Sequence, residues 1–198
     1  LKGLNQVSFK SNTVIVSSGV MGNVLSKKLS LNQISGLEFL AWIPCTIGCM
    51  IYMNASAWGK SISDVIKSIS NLGDFGKLCI MDNIKNHGFG YRKSPFMKRR
   101  VLIISCELQL KEDVSSIKLY YDYLEKKKLT QPLKEKSAGS TFKNPNNLYA
   151  WKLINETNTI RKINDAEISS IHGNFFINKN NATFNDMKEL IKRVQDDV

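Results

Sequence analysis

The residues best suited to chemistry lie in one polar stretch, "PLKEKSAGSTFKNPNN", which covers residues 132–147. It places a small hydroxyl, Ser140, directly after Gly139, and a cation, Lys143, three positions further on. Glycine permits a sharp backbone turn, and lysines around a hydroxyl favour an anionic substrate. A solvated, lysine-rich turn is the alternative interpretation, and the residue types alone leave both open.

Two of the four cysteines, Cys45 and Cys49, are four residues apart, a spacing that puts two thiols on one face of a helix. Such a pair would be half of a metal site. Neither histidine, His87 or His172, lies near the pair in the sequence. We therefore interpret the cysteines as small buried residues, and we expect neither a metal nor a disulfide framework.

The elements that must position these residues alternate between strands and helices, which favours an α/β or α+β fold over a bundle or a sandwich. The segment Val65–Leu72 fits a helix by spacing and a strand by composition. Residue patterns predict strands at Asn12–Gly19, Arg100–Leu110 and Gly173–Asn178, a hairpin at Asn71–Met81, and helices at Asn23–Gln33, Val114–Leu129, Ala150–Asn155 and Thr183–Val198.

The last predicted helix has the clearest start signal. Thr183 can cap it, and Asp186 follows three residues later, as in a capping box. Its apolar stripe consists of Met187, Leu190, Ile191 and Val194.

Composition limits the class of protein. The 198 residues suffice for one large domain or two small ones, and a joint is expected near Glu112–Lys128. The net charge of +11 points to nucleic acid, a membrane surface or an anionic ligand. Lysine provides nearly all of the excess, without the interleaved arginines and aromatics of nucleic-acid binders. The sequence lacks an apolar run of about 18 residues and a signal pattern, so we expect an intracellular protein.

Several segments, taken in order, resemble one family. They are "ISGLEFLAWIPCTIGCMIYMNASAWG" (Ile34–Gly59), "YRKS" (Tyr91–Ser94), "QPLKEKSAGSTFKNP" (Gln131–Pro145) and "DAEISSIHGNFFINKNNAT" (Asp165–Thr183). Together they are similar to the UDP-N-acetylenolpyruvoylglucosamine reductases (MurB), the flavoenzymes of peptidoglycan precursor synthesis. The likeness covers nearly the whole chain.

The resemblance implies an α+β fold. Residues 1–112 would form the second lobe of a two-lobed FAD-binding domain of the PCMH/VAO type. Residues 113–198 would form a small α+β substrate-binding domain. The implied cofactors are FAD and NADPH, and the implied partner is a UDP-sugar. We expect a cytoplasmic monomer that binds neither nucleic acid nor membrane.

The resemblance also implies a reaction and its residues. NADPH reduces FAD, the flavin passes a hydride to an enolpyruvyl double bond, and a protein group adds a proton. Ser140 would donate that proton, and Arg92 would polarise the substrate carboxylate. The implied substrate-binding residues are Tyr91, Lys143 and Asn144, with Lys134 and Lys136 adding positive charge. The implied cofactor-binding residues are Thr46, Ile47, Gly48, Asn54, Ala55 and Gly59.

The sequence departs from the family pattern at several positions. Residues other than glycine occupy family glycine positions at Trp42, Cys45, Cys49 and Ser56, and Trp58 replaces a tyrosine. Neither the family's N-terminal flavin-binding lobe nor its C-terminal catalytic glutamate is identified. Three interpretations remain open: an internal piece of a working reductase, a decayed relative that no longer holds FAD, and a basic polyanion-binding protein.

Overall fold

Segments rich in Val, Ile and Leu pair into an antiparallel sheet in the first part of the chain. This computed structural model, which describes residues 3–10, 13–73 and 76–198, confirms an α+β fold. The chain divides into two compact units, unit 1 (Leu1–Leu124) and unit 2 (Glu125–Val198). The division falls within the stretch Glu112–Lys128 where a joint is expected, and the functional boundary at residue 112 stays a prediction.

Unit 1 combines short strands with short helices, and 3-10 turns occur at Glu38–Leu40, Ile62–Asp64 and Ile84–His87. Its strands and α-helices are β1 (Val7–Lys10), β2 (Thr13–Ser17), α1 (Gly22–Leu31), β3 (Ile34–Ser35), α2 (Ile47–Met53), β4 (Ser56–Ala57), β5 (Lys60–Ser61), β6 (Ile66–Leu72), β7 (Leu78–Asp82), β8 (Leu102–Gln109) and β9 (Lys111–Glu112). The helix α3 (Ser116–Thr130) follows and crosses the division.

The main sheet has the order β1-β2-β8-β6-β7, and every neighbouring pair is antiparallel. Val16 of β2 and Ile69 of β6 both lie opposite Cys106 of β8, and all three side chains are buried. Side chains alternate between the two faces of a strand, so one face of the central strands enters the core. The ambiguous segment Val65–Leu72 contributes the strand β6 because it finds partners on both sides.

The helices of unit 1 contribute to the same core. Leu25 and Leu29 lie one helical turn apart on α1, and Met50 and Ile51 lie on α2. All four side chains are buried in one cluster with the sheet. The core therefore holds α2 in place, and it thereby positions the chain segments just before and just after this helix.

A buried carboxylate holds the loop that leads to α2. Glu38 is 1% exposed, and its Oε2 accepts a hydrogen bond from the Gly36 amide at 3.0 Å. Its Oε1 lies 2.7 Å from Ser116 Oγ, at the start of α3. Gly36 has a φ of +135°, which glycine adopts readily. Glu38 thus joins two segments that are 78 positions apart.

Unit 2 contains a smaller antiparallel sheet with the order β10-β13-β12-β11. Its elements are β10 (Lys136–Ser140), α4 (Ala150–Glu156), β11 (Lys162–Ile163), β12 (Ala166–Ile168), β13 (Phe175–Asn178) and α5 (Phe184–Asp197). The buried cluster of this unit consists of Ile154, Ala166, Ile168, Phe176, Leu190 and Val194.

The helix α5 confirms the start signal in the sequence. Thr183 Oγ1 accepts from the Asp186 amide at 3.2 Å, and Asp186 Oδ2 accepts from the Thr183 amide at 2.8 Å. These bonds form the predicted capping box, and the main-chain bond from Thr183 lowers the pKa of the Asp186 carboxyl. Leu190 and Val194 of the predicted stripe are fully buried.

The other predicted elements also have counterparts, with one correction. The strands β2, β8 and β13 and the helices α1, α3 and α4 occupy their predicted segments. The pairing of β6 with β7 confirms the hairpin, whose Asp74 and Phe75 lie outside the described residues, as does Asn12. Residues 132–147 are not a loop throughout, since Lys136–Ser140 are mostly exposed, as in the solvated-turn interpretation, but have strand conformation. These residues form the strand β10 because β13 supplies a pairing partner.

Within the described ranges, no helix combines the length and the apolar character that a membrane span requires.

We expect Glu38→Ala to lower the free energy of unfolding by about 2–4 kcal/mol, because the half-buried Gly36 amide and the buried Ser116 hydroxyl lose a charged acceptor. Urea denaturation would measure the change. Glu112→Ala is the matched control, since it removes an exposed carboxylate and should cost less than about 0.5 kcal/mol. Equal losses for the two variants would contradict the role given to Glu38.

Candidate functional site

Arg92 lies in a tight turn between Gly90 and Lys93. The amide of each of these two residues donates to the carbonyl of the other at 3.1 Å. Arg92 has a φ of +51°, in the left-handed region that favours glycine. Such strain costs on the order of 1–3 kcal/mol and persists where the surrounding structure holds it in place.

Two side-chain hydrogen bonds tie this turn to the segment that ends α2. The amide of Asn54, itself 2% exposed, donates from Nδ2 to the Gly90 carbonyl at 2.9 Å. Ser94 Oγ, also buried, donates to the Tyr52 carbonyl at 2.7 Å. Asn54 Oδ1 also lies 3.3 Å from the Ser63 amide. The side chain of Asn54, a predicted cofactor residue, therefore holds together two loops of unit 1.

The guanidinium of Arg92 is held by a residue that sequence reasoning did not select. Nη1 donates to Ser56 Oγ at 2.7 Å, and Nη2 lies 3.5 Å from the Ser56 carbonyl. The guanidinium carbon also lies 5.1 Å from the centroid of the Tyr91 ring. A guanidinium has five N–H donors, so these two bonds leave capacity for a bidentate carboxylate. The departure from glycine at Ser56 was the sequence signal for this contact.

The start of α2 is bound to β2 by its main chain. The amides of Ile47 and Gly48 donate to the carbonyls of Val20 and Ser18, each at 2.8 Å. A Cβ on Gly48 would lie 2.8 Å from the Ser18 Cβ, so close packing requires glycine here. These two predicted cofactor residues thus fix the start of α2 against the chain that follows β2 through main-chain contacts. Thr46, the N-cap residue, accepts no hydrogen bond from the first turn through its side chain.

The remaining predicted cofactor residues suit a flat organic group. Ala55 is half-buried, Gly59 is exposed with a φ of +76°, and a Cβ on Gly59 would meet no other atom within 4 Å. The accessible main chain at Ala55 and Gly59 and the hydroxyl of Thr46 are groups that a ring system such as a flavin can contact. In the sequence, the exposed Trp42 lies before this segment and the exposed Trp58 is next to Gly59.

The four residues at family glycine positions differ in their backbone. Trp42 has a φ of +60°, whereas Cys45, Cys49 and Ser56 are not among the described residues with positive φ. Backbone strain from a lost glycine is therefore confined, within this set, to Trp42. Trp58, which stands at a family tyrosine position, has a φ of +56° and stacks on Tyr123 at 6.0 Å.

The cysteines do not match the buried interpretation, which holds for Cys106 alone. Cys45 is half-exposed, and Cys49 and Cys79 are exposed, because the start of α2 and the edge strand β7 lie at the surface of unit 1. Burial raises the pKa of the Cys45 thiol to about 11, and the neighbouring Cys49 adds to the rise. Burial raises the pKa of Cys106 to about 12.

No group of three His, Cys, Asp or Glu side chains in the described part of the chain is placed to hold a metal ion.

In unit 2, Ser140 ends the strand β10. It pairs with Phe175, and a register shift between Ser137 and Ser140 marks a β-bulge. Gly139 lies in the bulge with a φ of +91°, and a Cβ there would meet nothing within 4 Å. Glycine is therefore needed for its backbone angle, not for space. The Ser140 side chain is exposed.

Lys143 and Asn144 follow Ser140 and border a cavity of about 290 Å³. Asn144 Oδ1 accepts from the Ala150 amide at 3.1 Å, which satisfies an amide at the start of α4. The rest of the lining is mostly apolar, so the cavity does not resemble a diphosphate site. Lys143, Lys134 and Lys136 are exposed.

A larger cavity of about 940 Å³ lies in unit 1, and its lining includes none of the predicted cofactor residues.

The predicted site residues fall into both units. Thr46, Ile47, Gly48, Asn54, Ala55, Gly59, Tyr91 and Arg92 belong to unit 1, whereas Ser140, Lys143 and Asn144 belong to unit 2. Within unit 1 the structure brings Arg92 to the segment of Asn54 and Ser56, 36 positions away in the sequence.

Comparisons with known proteins match both parts of the chain. Residues 131–198 match the family described as UDP-N-acetylenolpyruvoylglucosamine reductase, C-terminal domain, and residues 1–79 match the FAD binding domain family. These matches confirm the predicted order of an FAD-binding-type fold followed by a substrate-domain fold.

Relatives and a solved structure support the same family. The chain is 37% identical over 195 residues to the UDP-N-acetylenolpyruvoylglucosamine reductase of Chlamydia felis and 36% identical over 197 residues to that of Alkaliphilus oremlandii. Each alignment takes in 98% of this chain. The aligned part is 66% and 64% of the two relatives, so the chain spans about two thirds of their length. The crystal structure of the Thermus caldophilus reductase superposes with a TM-score of 0.82 at 31% identity, over 96% of this chain and 71% of that one.

The raised pKa of Cys45 has a chemical consequence. At about pH 8, we expect iodoacetamide to modify the exposed Cys49 at least about tenfold faster than Cys45, because the thiolate is the reactive form. Cys106 should react last. Peptide mass spectrometry over time would measure the order. In urea the four rates should converge, and equal rates for Cys45 and Cys49 in the folded protein would contradict the assignment.

Trp42 and Trp58 form a matched pair for measuring strain, since both have positive φ and similar exposure, 47% and 40%. We expect Trp42→Gly to change the free energy of unfolding by less than about 1 kcal/mol, because relief of strain offsets lost contacts. Trp58→Gly should lose about 1 kcal/mol more, since it also removes the stack on Tyr123. Urea denaturation would compare them, and a larger loss for Trp42→Gly would refute the strain at residue 42.

Proposed function

The chain belongs to the UDP-N-acetylenolpyruvoylglucosamine reductase family, and we propose that the protein reduces UDP-N-acetylglucosamine enolpyruvate to UDP-N-acetylmuramate with FAD and NADPH. The main support for this proposal is that 96% of the chain agrees in fold and sequence with a reductase of known structure. We further propose a cytoplasmic location, as nucleotide-linked substrates imply.

Arg92 binds the substrate carboxylate. Reduction of the enolpyruvyl double bond builds enolate charge on that carboxylate, and a fixed guanidinium stabilises the charge as it develops. The bond from Nη1 to Ser56 Oγ at 2.7 Å limits rotation of the fork, while the bond from Asn54 to the Gly90 carbonyl holds the turn that contains Arg92. Little reorganisation is then needed when the charge appears. Tyr91 adds an aromatic face beside the guanidinium.

The strip from Thr46 to Gly59 holds the FAD. Thr46, Ala55 and Gly59 offer a hydroxyl and accessible main chain, whereas Ile47, Gly48 and Asn54 keep the strip in shape through internal bonds. FAD, when bound, supplies the hydride that it receives from NADPH. Among the residues described, the glycine replacement with a strained backbone is Trp42, whose indole lies near this strip in sequence.

Ser140 delivers the proton. A hydroxyl is a weak acid and gives up a proton readily only to a strongly basic centre, such as the carbon of an enolate. Its exposed position lets solvent restore the proton afterwards. Gly139, with its φ of +91°, sets the direction in which Ser140 leaves the bulge. Lys143 and Asn144, with Lys134 and Lys136, supply polar and positive groups for the UDP portion.

The test separates the two half-reactions. We expect Ser140→Ala to slow substrate-dependent reoxidation of the reduced flavin by about 10²–10⁴-fold. The same variant should leave NADPH-dependent bleaching of the flavin unchanged, because no proton from Ser140 is used there. Anaerobic stopped-flow absorbance measures both rates in the purified protein.

Ser137→Ala is the control, since Ser137 is an exposed serine on the same strand whose Oγ lies 3.5 Å from the Gly139 amide, at the limit of a hydrogen bond. It should leave both half-reactions within about twofold. Equal slowing of the two half-reactions by Ser140→Ala would contradict proton donation. Failure of the wild-type protein to hold flavin would instead favour a family member that no longer catalyses this reaction.

A further inference from the structure

Asn174, which sequence reasoning did not select, makes a two-way bond to the main chain beyond Ser140. Its Nδ2 donates to the Phe142 carbonyl at 2.8 Å, and its Oδ1 accepts from the Phe142 amide at 2.8 Å. The side chain is buried, with 3% of its surface exposed. An amide group presents one donor and one acceptor in the arrangement of a peptide bond, so Asn174 acts as a strand partner for Phe142.

Neighbouring contacts extend this pairing on both sides. The Thr141 amide donates to the Asn174 carbonyl at 2.9 Å, and Ser140 pairs with Phe175. The Asn174 amide in turn donates to His172 Nδ1, assigned as the acceptor, at 3.2 Å. Residues 140–142 are therefore bound one after another to the stretch 172–175.

The β-bulge makes this pairing necessary. The regular ladder between β10 and β13 is interrupted between Ser137 and Ser140, and Gly139 has a backbone angle open to many conformations. Without the Asn174 side-chain bonds, Phe142 would be held by its ring, which packs edge-on against Phe176 at 5.8 Å, and by the neighbouring main-chain bond from Thr141 to Asn174. Hydrogen bonds fix the direction of the main chain at Phe142 more closely than the contact between the two rings does.

We propose that Asn174 is the positioning residue for Ser140: its buried amide holds the Phe142 main chain and thereby fixes where the Ser140 hydroxyl points. This inference rests on the proposed function, because it concerns the proton donor of that reaction. A displacement of about 1 Å in a reacting group can cost about 10²-fold in rate.

The chain contains a matched control at the other end of β13, since Asn174 directly precedes this strand and Asn178 is its last residue. Asn178 makes the same kind of two-way bond to Ala182, with Nδ2 3.2 Å from the Ala182 carbonyl and Oδ1 2.9 Å from the Ala182 amide. This bond holds the turn before α5, away from Ser140 in the sequence. Asn→Asp at either position keeps the size of the side chain, removes the donor and introduces a charge that faces a carbonyl.

The experiment compares Asn174→Asp with Asn178→Asp. We expect Asn174→Asp to speed amide hydrogen exchange at Thr141 and Phe142 and to lower kcat for substrate reduction at least about tenfold, with little change in KM. NADPH-dependent flavin bleaching should be unchanged. Asn178→Asp should lose comparable thermal stability, yet keep exchange at Thr141 and Phe142 and keep kcat within about twofold. Should Asn174→Asp fail to fold, Asn174→Ser, smaller and uncharged, takes its place with the same expectations.

The outcomes separate this inference from the proposed function. A wild-type protein whose reduced flavin is not reoxidised by the enolpyruvyl UDP-sugar would overturn the proposed function and the inference with it. An active wild type in which the Asn174 variant matches the Asn178 variant, in kcat and in exchange at residues 141–142, would overturn the inference alone. A loss of both half-reactions in the Asn174 variant would also overturn it, since that result indicates general damage.

Discussion

The irregular half of unit 1 depends on one buried side chain, the amide of Asn54. Asn54 ends α2 in the left-handed conformation, with a φ of 44° and a ψ of 62°. Its amide then bonds the Gly90 carbonyl and lies near the Ser63 amide. Segments outside a ladder must find other partners for their buried polar groups. By bonding both segments, Asn54 acts with the Ser94 hydroxyl to set where the Arg92 turn lies relative to Ser56.

Strain accompanies this arrangement. Arg92, Trp42 and Trp58 all have φ between +51° and +60°, and Asn54 has +44°. Asparagine tolerates this region, whereas the other three pay about 1–3 kcal/mol each. These residues belong to the same two sequence segments as the proposed carboxylate and flavin contacts. The backbone geometry of these segments, which the proposed binding requires, is therefore held against local preference by contacts with the buried core around α2 and β8.

Unit 2 also contains a segment whose main chain lacks regular ladder partners. A bulge gives Ser140 its position at the end of β10, yet a bulge also weakens the ladder on which the strand relies. Beyond the end of β10, the amide of Asn174 bonds the Phe142 main chain, and the aromatic contact between Phe142 and Phe176 adds packing. In both units, a buried asparagine provides main-chain pairing where regular secondary structure does not.

The sequence by itself determined what depends on local residues and on ordered motifs. The capping box at Thr183 and Asp186, the apolar pattern of β8 and the order of the family segments are all visible in the printed chain. Tertiary structure alone decided that Lys136–Ser140 is a strand, and that Ser56 holds Arg92. The reason is physical: these outcomes depend on partners more than 30 positions away, Phe175 for Ser140 and Ser56 for Arg92. Residue spacing carries no information about such pairs until the core brings them together.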